Sequence, residues 1–363
     1  KVGLVILLDC GTNQAEEIRT LARSRIETIV LDHHVPTDRL AHPHALVNPH
    51  QGAGAGKGLC SAGLAFKLAH AMWGAADERL VSLLDLAAIG TLADYSPLLG
   101  ENRTLVVLGL RQLLHTRRPG LRLLCEAVGL SKPTPDQVLQ RLTPCLNASG
   151  RLGDATRVWR LLVEPSQRRA KLLIRDIQDA HATSKTLHRQ MLAEANEQAS
   201  RLHFKDHAVV VIGRRGWHPG FMGPIAAQLA DRFGRPAIAV AMDGKTAVGS
   251  GRSFGMFNLF EAFRACEGVL LRYGGHAHAC GLTLDPTHLE RFREQLNQYT
   301  HTVGGRMPTG RTLKIDADVK LQEVTPDVAS DVERFAPFGP ENERPLVMAR
   351  QVRLEEDALR MPW

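Results

Sequence analysis

The stretch Ile26-Glu27-Thr28-Ile29-Val30-Leu31-Asp32-His33-His34 decides the fold. Its apolar, β-branched run reads as a strand, and the polar triplet at its end stops it. Upstream, residues 2–9 form a second unbroken apolar run closing on Asp9, the pattern of a parallel strand buried on both faces. Between the two runs, Asn13 with Glu16 three residues on predicts an amino-terminal cap and a helix to about Ser24. The result is a strand–helix–strand unit with an aspartate ending each strand. Open α/β sheets bind ligands beyond the carboxyl ends of their strands. Asp9, Asp32, His33 and His34 therefore converge by topology alone.

Downstream, a Gly-rich loop at residues 52–58 precedes a helix beginning near Ser61. An apolar helix over residues 80–92 delivers Asp94 and then Leu98-Leu99-Gly100-Glu101-Asn102-Arg103. A further loop carries Asn147-Ala148-Ser149-Gly150-Arg151-Leu152-Gly153. After Pro165, Ile174, Ile177, Ser184, Leu187, Met191 and Leu202 fall near one stripe of a long helix. A helix of that length reads as a connector rather than part of either core, and the domain boundary falls there. Beyond it, residues 207–213, 236–242 and 246–250 read as strands, with a helix opened by Pro224. A helix near 258–265, a Gly-rich loop at 274–281 and a helix from about Thr287 complete a second α/β unit. Leu313, Ile315, Ala317 and Val319 alternate as a new strand, and residues 345–354 supply another.

A chain of 363 residues with 44% hydrophobic content supports two or three packed domains and argues against global disorder. No apolar run is long enough to cross a bilayer. The net charge of +7 favours a polyanionic partner without identifying one. The local cluster Arg111, Arg117, Arg118 and Arg122 reads by itself as a solvated basic face. The six cysteines include no Cys-x-x-Cys pair, which argues against a thiolate zinc site or a disulfide framework and suits a reducing cytoplasm. The strand at residues 2–9 starts with no lead-in, and residues 358–363 follow a strand-like run with no closing element. From this we expect sequence missing at both ends.

Phosphodiester hydrolysis needs a strong nucleophile and neutralisation of charge on the phosphoryl oxygens, and a pair of divalent cations supplies both. Mg²⁺ and Mn²⁺ favour carboxylate oxygens, and Mn²⁺ also accepts imidazole. Asp9, Asp32, His33 and Asp94 offer that mixture from three segments. Taken singly, each reads as a cap or turn former; ending a buried strand beside another strand-terminal aspartate, the triplet reads as a metal site.

Asp32-His33-His34, followed by Val35-Pro36 and Val47-Asn48-Pro49, resembles the name-giving motif of the DHH phosphoesterase superfamily. Ala93-Asp94, Pro97-Leu98 and Gly100-Glu101-Asn102-Arg103 resemble that family's fourth motif in its RecJ form, and residues 147–153 resemble a RecJ segment that contacts the DNA backbone. Gly216-Trp217-His218-Pro219-Gly220, Gly249-Ser250-Gly251-Arg252-Ser253 and Gly274-Gly275-His276 are similar to the associated DHHA1 domain. Pro337-Phe338-Gly339 with Glu341-Asn342 resembles the start of the OB-fold of RecJ. The resemblance runs in order from residue 2 to about residue 352.

The implied fold is α/β: a parallel-sheet DHH domain (1–156), a long connecting helix (157–205), a smaller α/β DHHA1 domain (206–304) and part of a β-rich OB-like module (305–363). The implied activity is 5′-to-3′ exonucleolysis of single-stranded DNA in repair and recombination. A two-metal Mn²⁺ or Mg²⁺ site would use Asp9, Asp32, His33 and Asp94, with Asp32 either ligating or holding the histidine tautomer and His34 contacting the scissile phosphate. Arg151, Ser250 and Arg252 would grip the 5′-terminal phosphate, and Gly274, Gly275 and His276 would lie along the nucleic acid. Trp217 reads as a packing residue. A single-strand-binding protein and a helicase are the implied protein partners. Two departures stand out. The family's first pair of aspartates would precede Lys1, leaving one metal short of ligands, and Cys145 stands where the family carries arginine. Two other readings compete: a relative acting on short RNA or cyclic dinucleotides, and a non-catalytic nucleic-acid-binding or replication scaffold.

Overall fold

The computed structural model describes residues 2–37, 40–51, 56, 58–204, 207–302 and 313–353. Most of the Gly-rich loop at 52–58, the end of the strand at 345–354, and residues 358–363 therefore lie outside the described residues. The chain divides into two units, Lys1–Thr143 with Glu164–Gln167 and Leu313–Trp363, and Pro144–Val163 with Arg168–Thr312.

In the first unit, β1 (Leu4–Leu8), α1 (Ala15–Arg23), β2 (Glu27–Leu31) and β3 (Ala45–Val47) form a parallel three-stranded sheet in the order β1-β2-β3. Alternation along β2 places its side chains on two faces. Val30 packs with Ile18 of α1, while Ile29 and Leu31 pack with residues of α2 (Ser61–Trp73), α3 (Leu84–Ala93) and α4 (Gly100–Leu114). α4 lies very close to α3: a Cβ at Gly109 would stand 2.3 Å from both the Ala88 Cβ and the Leu84 carbonyl oxygen. α5 (Pro119–Ala127) and the short turn α6 (Pro135–Gln137) follow.

Three expectations fail in this unit. β1 is not buried on both faces: Leu4, Ile6 and Leu8 are 45%, 48% and 50% exposed. Among the described residues β1 pairs only with β2, and its one covered side is that of Leu7, which packs with Ile18, Val30 and Ala41. Asn13 does not cap α1. Its carboxamide instead donates to the Val35 carbonyl and accepts from the Thr37 amide and hydroxyl, tying the α1 entry to the loop after β2. The apolar segment over 80–92 divides into a 3₁₀ turn, Glu78–Leu83, and α3.

The second unit opens with α7 (Thr143–Arg151), α8 (Thr156–Val163) and the 34-residue α9 (Gln167–Ser200). Residues 147–151, expected in a loop, are helical. Nor is α9 only a connector, because Met191, Ala195 and Ala199 belong to the same apolar cluster as β4 and β5. A five-stranded sheet in the order β4-β5-β6-β8-β7 follows, from β4 (Val210–Arg215), α10 (Met222–Phe233), β5 (Ala237–Asp243), β6 (Thr246–Arg252), α11 (Leu259–Ala265), β7 (Arg272–His276), β8 (Ala279–Leu284) and α12 (Leu289–Thr302). β4 and β5 are parallel and the other pairs antiparallel. One face packs on α9 and α10; the other packs on α11 and α12. There Phe263 and Phe292 meet edge to face at 5.6 Å, a geometry worth about 0.5–1.5 kcal/mol beyond area burial. The stretch 274–281 is a β-hairpin rather than a loop. Glycines conceal strand character from composition, and here the pairing with β6 and β8 restores it.

Residues 313–353 return to the first unit. The expected strands shrink to β9 (Ala317–Asp318) and β10 (Val347–Met348), paired in parallel, with the unanticipated helix α13 (Pro326–Glu333) between them.

Candidate metal centre and nucleic-acid interface

The first cluster gathers beyond the carboxyl ends of β1 and β2. Asp9 continues the ladder, its amide donating to the Leu31 carbonyl, but takes φ 64°. Aspartate tolerates this left-handed region better than most residues. Two positions on, Gly11 has φ 116°, and a Cβ there would stand 2.8 Å from Val30. The chain can thus turn tightly against β2 and deliver the Thr12 amide to Asp32.

Asp32 is 1% exposed. Its Oδ2 accepts from the Thr12 amide at 3.0 Å, and its Oδ1 accepts from the His33 amide at 2.8 Å and meets His34 Nδ1 at 2.7 Å. Burial pushes the carboxyl up, but the bonds from His34 and Thr12 outweigh it and hold the group at about 2. Both oxygens of Asp32 are thus engaged within the protein. With Nδ1 on Asp32, His34 keeps Nε2 for other partners: a neutral ring offers its lone pair there, a protonated ring an N–H donor. Asn48, at the end of β3, braces the arrangement by donating to the Thr12 hydroxyl and the His34 carbonyl, both at 2.9 Å.

His33 stands between two carboxylates. Its Nε2 is 3.2 Å from Asp9 Oδ1, and its Nδ1 is 3.5 Å from Asp94 Oδ2. Asp94 closes the carboxyl end of α3, and the Ser96 hydroxyl donates to it at 3.1 Å. Burial raises the Asp94 carboxyl above its ordinary value, and Asp9 adds to this, while His33 and Ser96 pull the other way. One ligand atom from each of Asp9, His33 and His34 lies within 4.8 Å of the others. One carboxylate with two imidazoles suits Mn²⁺ better than Mg²⁺, which favours oxygen ligands, and the Asp94 carboxylate beside His33 adds a further oxygen. Asp9, His33 and Asp94 come together as the sequence suggests. Asp32 stands apart from that group: it is buried and both its oxygens accept hydrogen bonds from Thr12, His33 and His34. Thr12 and Ser96 escaped the sequence reading, having no signal beyond their proximity to strand and helix ends, and Asn13 was read there only as a helix cap.

The second cluster forms on the sheet of the second unit. Residues directly opposite in antiparallel strands share a face. The register Ser250↔Gly281 and Gly274↔Gly281 therefore makes one row, and Arg252↔Ala279 and His276↔Ala279 make the next row of the same face. Ser250, Arg252, Gly274 and His276 are thus brought together. Gly275 lies on the opposite face and answers to the hairpin itself: at φ 139°, its Cβ would meet the Ala279 carbonyl oxygen at 2.3 Å. Gly281, missed from sequence, completes the floor.

Arg252 donates to the Ser250 hydroxyl at 3.1 Å and to the Gly251 carbonyl at 2.9 Å. A Cβ at Gly223, in the first turn of α10, would lie 3.1 Å from the guanidinium. Arg151 ends α7, where Gly220 packs so closely that a Cβ would stand 2.5 Å from the Arg151 carbonyl oxygen. Burial weakens the hold of both guanidiniums on their protons, and among the described residues neither has a carboxylate at ion-pair distance. His188 is held down by burial and by Arg151, and it meets Gln228 at 3.2 Å. Neither residue was anticipated. Trp217 is buried and donates to Glu194, and His218 accepts from the Gly220 amide to cap a turn. Cys145 is buried, which pushes its thiol up. It offers nothing to a phosphate.

Residues 3–91 match the DHH family N-terminal domain, residues 206–302 the DHHA1 domain and residues 315–361 the RecJ OB domain. The chain is 33% identical over 359 residues to the single-stranded-DNA-specific exonuclease RecJ of Bacillus subtilis, covering 97% of this chain and 45% of that protein. RecJ from Thermus thermophilus in complex with Mn²⁺ superposes with a TM-score of 0.86 at 31% identity, covering 98% of this chain and 54% of that one. A second structure, exonuclease RecJ bound to manganese, gives a TM-score of 0.69 at 33% identity over 85% of this chain and 76% of that one. The chain spans about half the length of the curated relatives it matches. With three domain families matched in this order and these likenesses extending along nearly its whole length, the chain belongs to the RecJ family.

Proposed function

We propose that the chain carries a metal-dependent 5′-to-3′ exonuclease activity on single-stranded DNA, used in repair and recombination. The observation that carries this reading is His33 set between Asp9 and Asp94, 3.2 and 3.5 Å away, in a chain of the RecJ family. Asp9, His33 and Asp94 would hold Mn²⁺ or Mg²⁺, which when bound neutralises phosphoryl charge and activates water. Asp32 would orient His34 through Nδ1, leaving Nε2 to contact the scissile phosphate. Arg151, Arg252 and Ser250 would receive the 5′-terminal phosphate, since a guanidinium fork without a carboxylate partner suits phosphate oxygens. Gly274 adds no side chain to the floor beside them, and a Cβ there would meet nothing within 4 Å, so nucleic-acid backbone can approach closely; Gly275 and His276 border it.

No described helix is long and apolar enough to cross a membrane, and all six cysteines are unpaired. The setting we propose from the family is the cytoplasm, beside a single-strand-binding protein and a helicase. The test is digestion of end-labelled DNA with and without Mn²⁺. Loss of the 5′ label first, from single strands only and only with metal, is expected. Equal digestion of blunt duplex, or 3′ label lost first, overturns the reading. Metal-independent binding without cleavage points to a scaffold, and cleavage confined to dinucleotides to a short-RNA enzyme.

A further inference from the structure

The motif Gly100-Glu101-Asn102-Arg103 holds no residue of either cluster, yet three of its side chains are committed. Glu101 accepts from Lys67 of α2 at 2.7 Å, and Asn102, 4% exposed, donates to the Gly58 carbonyl at 2.6 Å. Arg103 donates to the Ala336 carbonyl at 2.8 Å and the Pro337 carbonyl at 3.4 Å. The first turn of α4 is therefore joined to a segment more than two hundred residues away in sequence.

That segment, residues 335–342, is locked on itself. Asn342 donates through its carboxamide to the Phe335 carbonyl at 3.1 Å and the Pro337 carbonyl at 2.8 Å, and its backbone exchanges two 3.0 Å bonds with Gly339. It then meets the loop that carries Asp94. The Leu98 amide donates to the Pro340 carbonyl at 2.8 Å. Leu98 is fully buried, and a Cβ at Gly339 would stand 2.6 Å from its Cδ1. At the other end of this loop, Asp94, Tyr95 and Ser96 donate their amides back to Gly90, Leu92 and Thr91 at the end of α3. Only three residues separate Asp94 from Leu98, so the loop is pinned at both ends with little slack.

We propose that residues 335–342 are a strap that positions Asp94: held by Arg103 and seated on Leu98, they fix the far end of the Asp94 loop and set the cation affinity of the strand-end cluster. Arg103 and Leu98 are positioning residues, touching neither cation nor DNA. A ligand must be held within about 0.5 Å of its productive place, and loss of a residue that orients a ligand weakens metal binding roughly 10–100-fold. The proposal rests on the metal reading given under Proposed function.

The test titrates the protein with Mn²⁺, following the free ion by electron paramagnetic resonance. Arg103→Ala removes the strap's anchor, and Gly339→Ala drives its seat against Leu98. Each is expected to raise the Kd for Mn²⁺ about tenfold while leaving the KM for single-stranded DNA unchanged, with cleavage restored by excess Mn²⁺. Phe292→Leu, in the core of the second unit, is the control for a general loss of stability: it should lower Tm and leave the Kd alone. A Kd unchanged in Arg103→Ala and Gly339→Ala overturns the strap and leaves the metal reading standing, as does a Kd raised equally by Phe292→Leu. No Mn²⁺ binding by the unaltered protein overturns the metal reading, and the strap with it.

Discussion

Asp32→Asn probes the anchor beneath both histidines. The carboxyl is held at about 2 against an ordinary value of 3.8. At about 1.4 kcal/mol per pH unit, that preference for the charged form is worth roughly 2 kcal/mol at neutral pH. The four donors on Asp32, from the amides of Thr12, His33 and His34 and from His34 Nδ1, all point at acceptor oxygens. Asparagine turns one oxygen into a donor, so at least one buried N–H faces another, adding about 1 kcal/mol. The expected loss near pH 7 is about 3 kcal/mol, or roughly 6–12 °C in Tm for a cooperative unit of this size. A pH series then separates the two contributions. Because the folded value lies below the unfolded one, unfolding takes up a proton, and the wild-type advantage is full above 3.8 and fades as pH falls through about 2. The gap between wild type and Asp32→Asn should narrow toward about 1 kcal/mol over that window. Guanidinium unfolding followed by circular dichroism at pH 7, 5, 4 and 3 measures it. Equal stability at pH 7, or a gap that stays constant down to pH 3, would refute the assignment of Asp32 as a charged anchor.

Two other substitutions test the clusters. Asp94 carries a carboxyl raised by burial, so its ionised form costs the metal-free fold stability at neutral pH. Asp94→Asn should therefore leave Tm without metal unchanged or higher while abolishing both cleavage and the Mn²⁺-induced rise in Tm, read by thermal denaturation with and without the ion; a metal-free Tm several degrees lower contradicts it. Arg252→Ala should weaken single-stranded DNA binding and lower the slope of log K against log salt by about 1, measured by fluorescence anisotropy. An unchanged slope would return Arg252 to a structural role within β6.

Much of the first unit was legible because its signals are local. Apolar runs ending in Asp9 and Asp32 mark strand ends, and the rule for open α/β sheets brings strand ends together. Asp94 was legible for a similar reason, as the polar residue ending an apolar helix. The failures share a cause too. Asn13 has the composition of a cap, but the loop after β2 engages its carboxamide in place of the helix. Residues 147–151 look like a loop by composition and fold as the end of α7. Residues 274–281 look like a glycine loop and pair as β7 and β8.

By itself, then, the sequence determined the strand–helix–strand unit, the acidic and imidazole donors at its ends, and the order of motifs that marks the family. Each of these is written within a few residues or in their succession along the chain. Tertiary structure decided what each group can do. Burial made Asp32 an anchor with both oxygens engaged, and antiparallel register set Ser250, Arg252, Gly274 and His276 on one face and Gly275 on the other. It also turned Arg103 toward residues 336 and 337, distant in sequence, and so connected residues 335–342 to the Asp94 loop. Desolvation and long-range pairing depend on which segments meet in space, and that meeting leaves no local trace in the residues themselves.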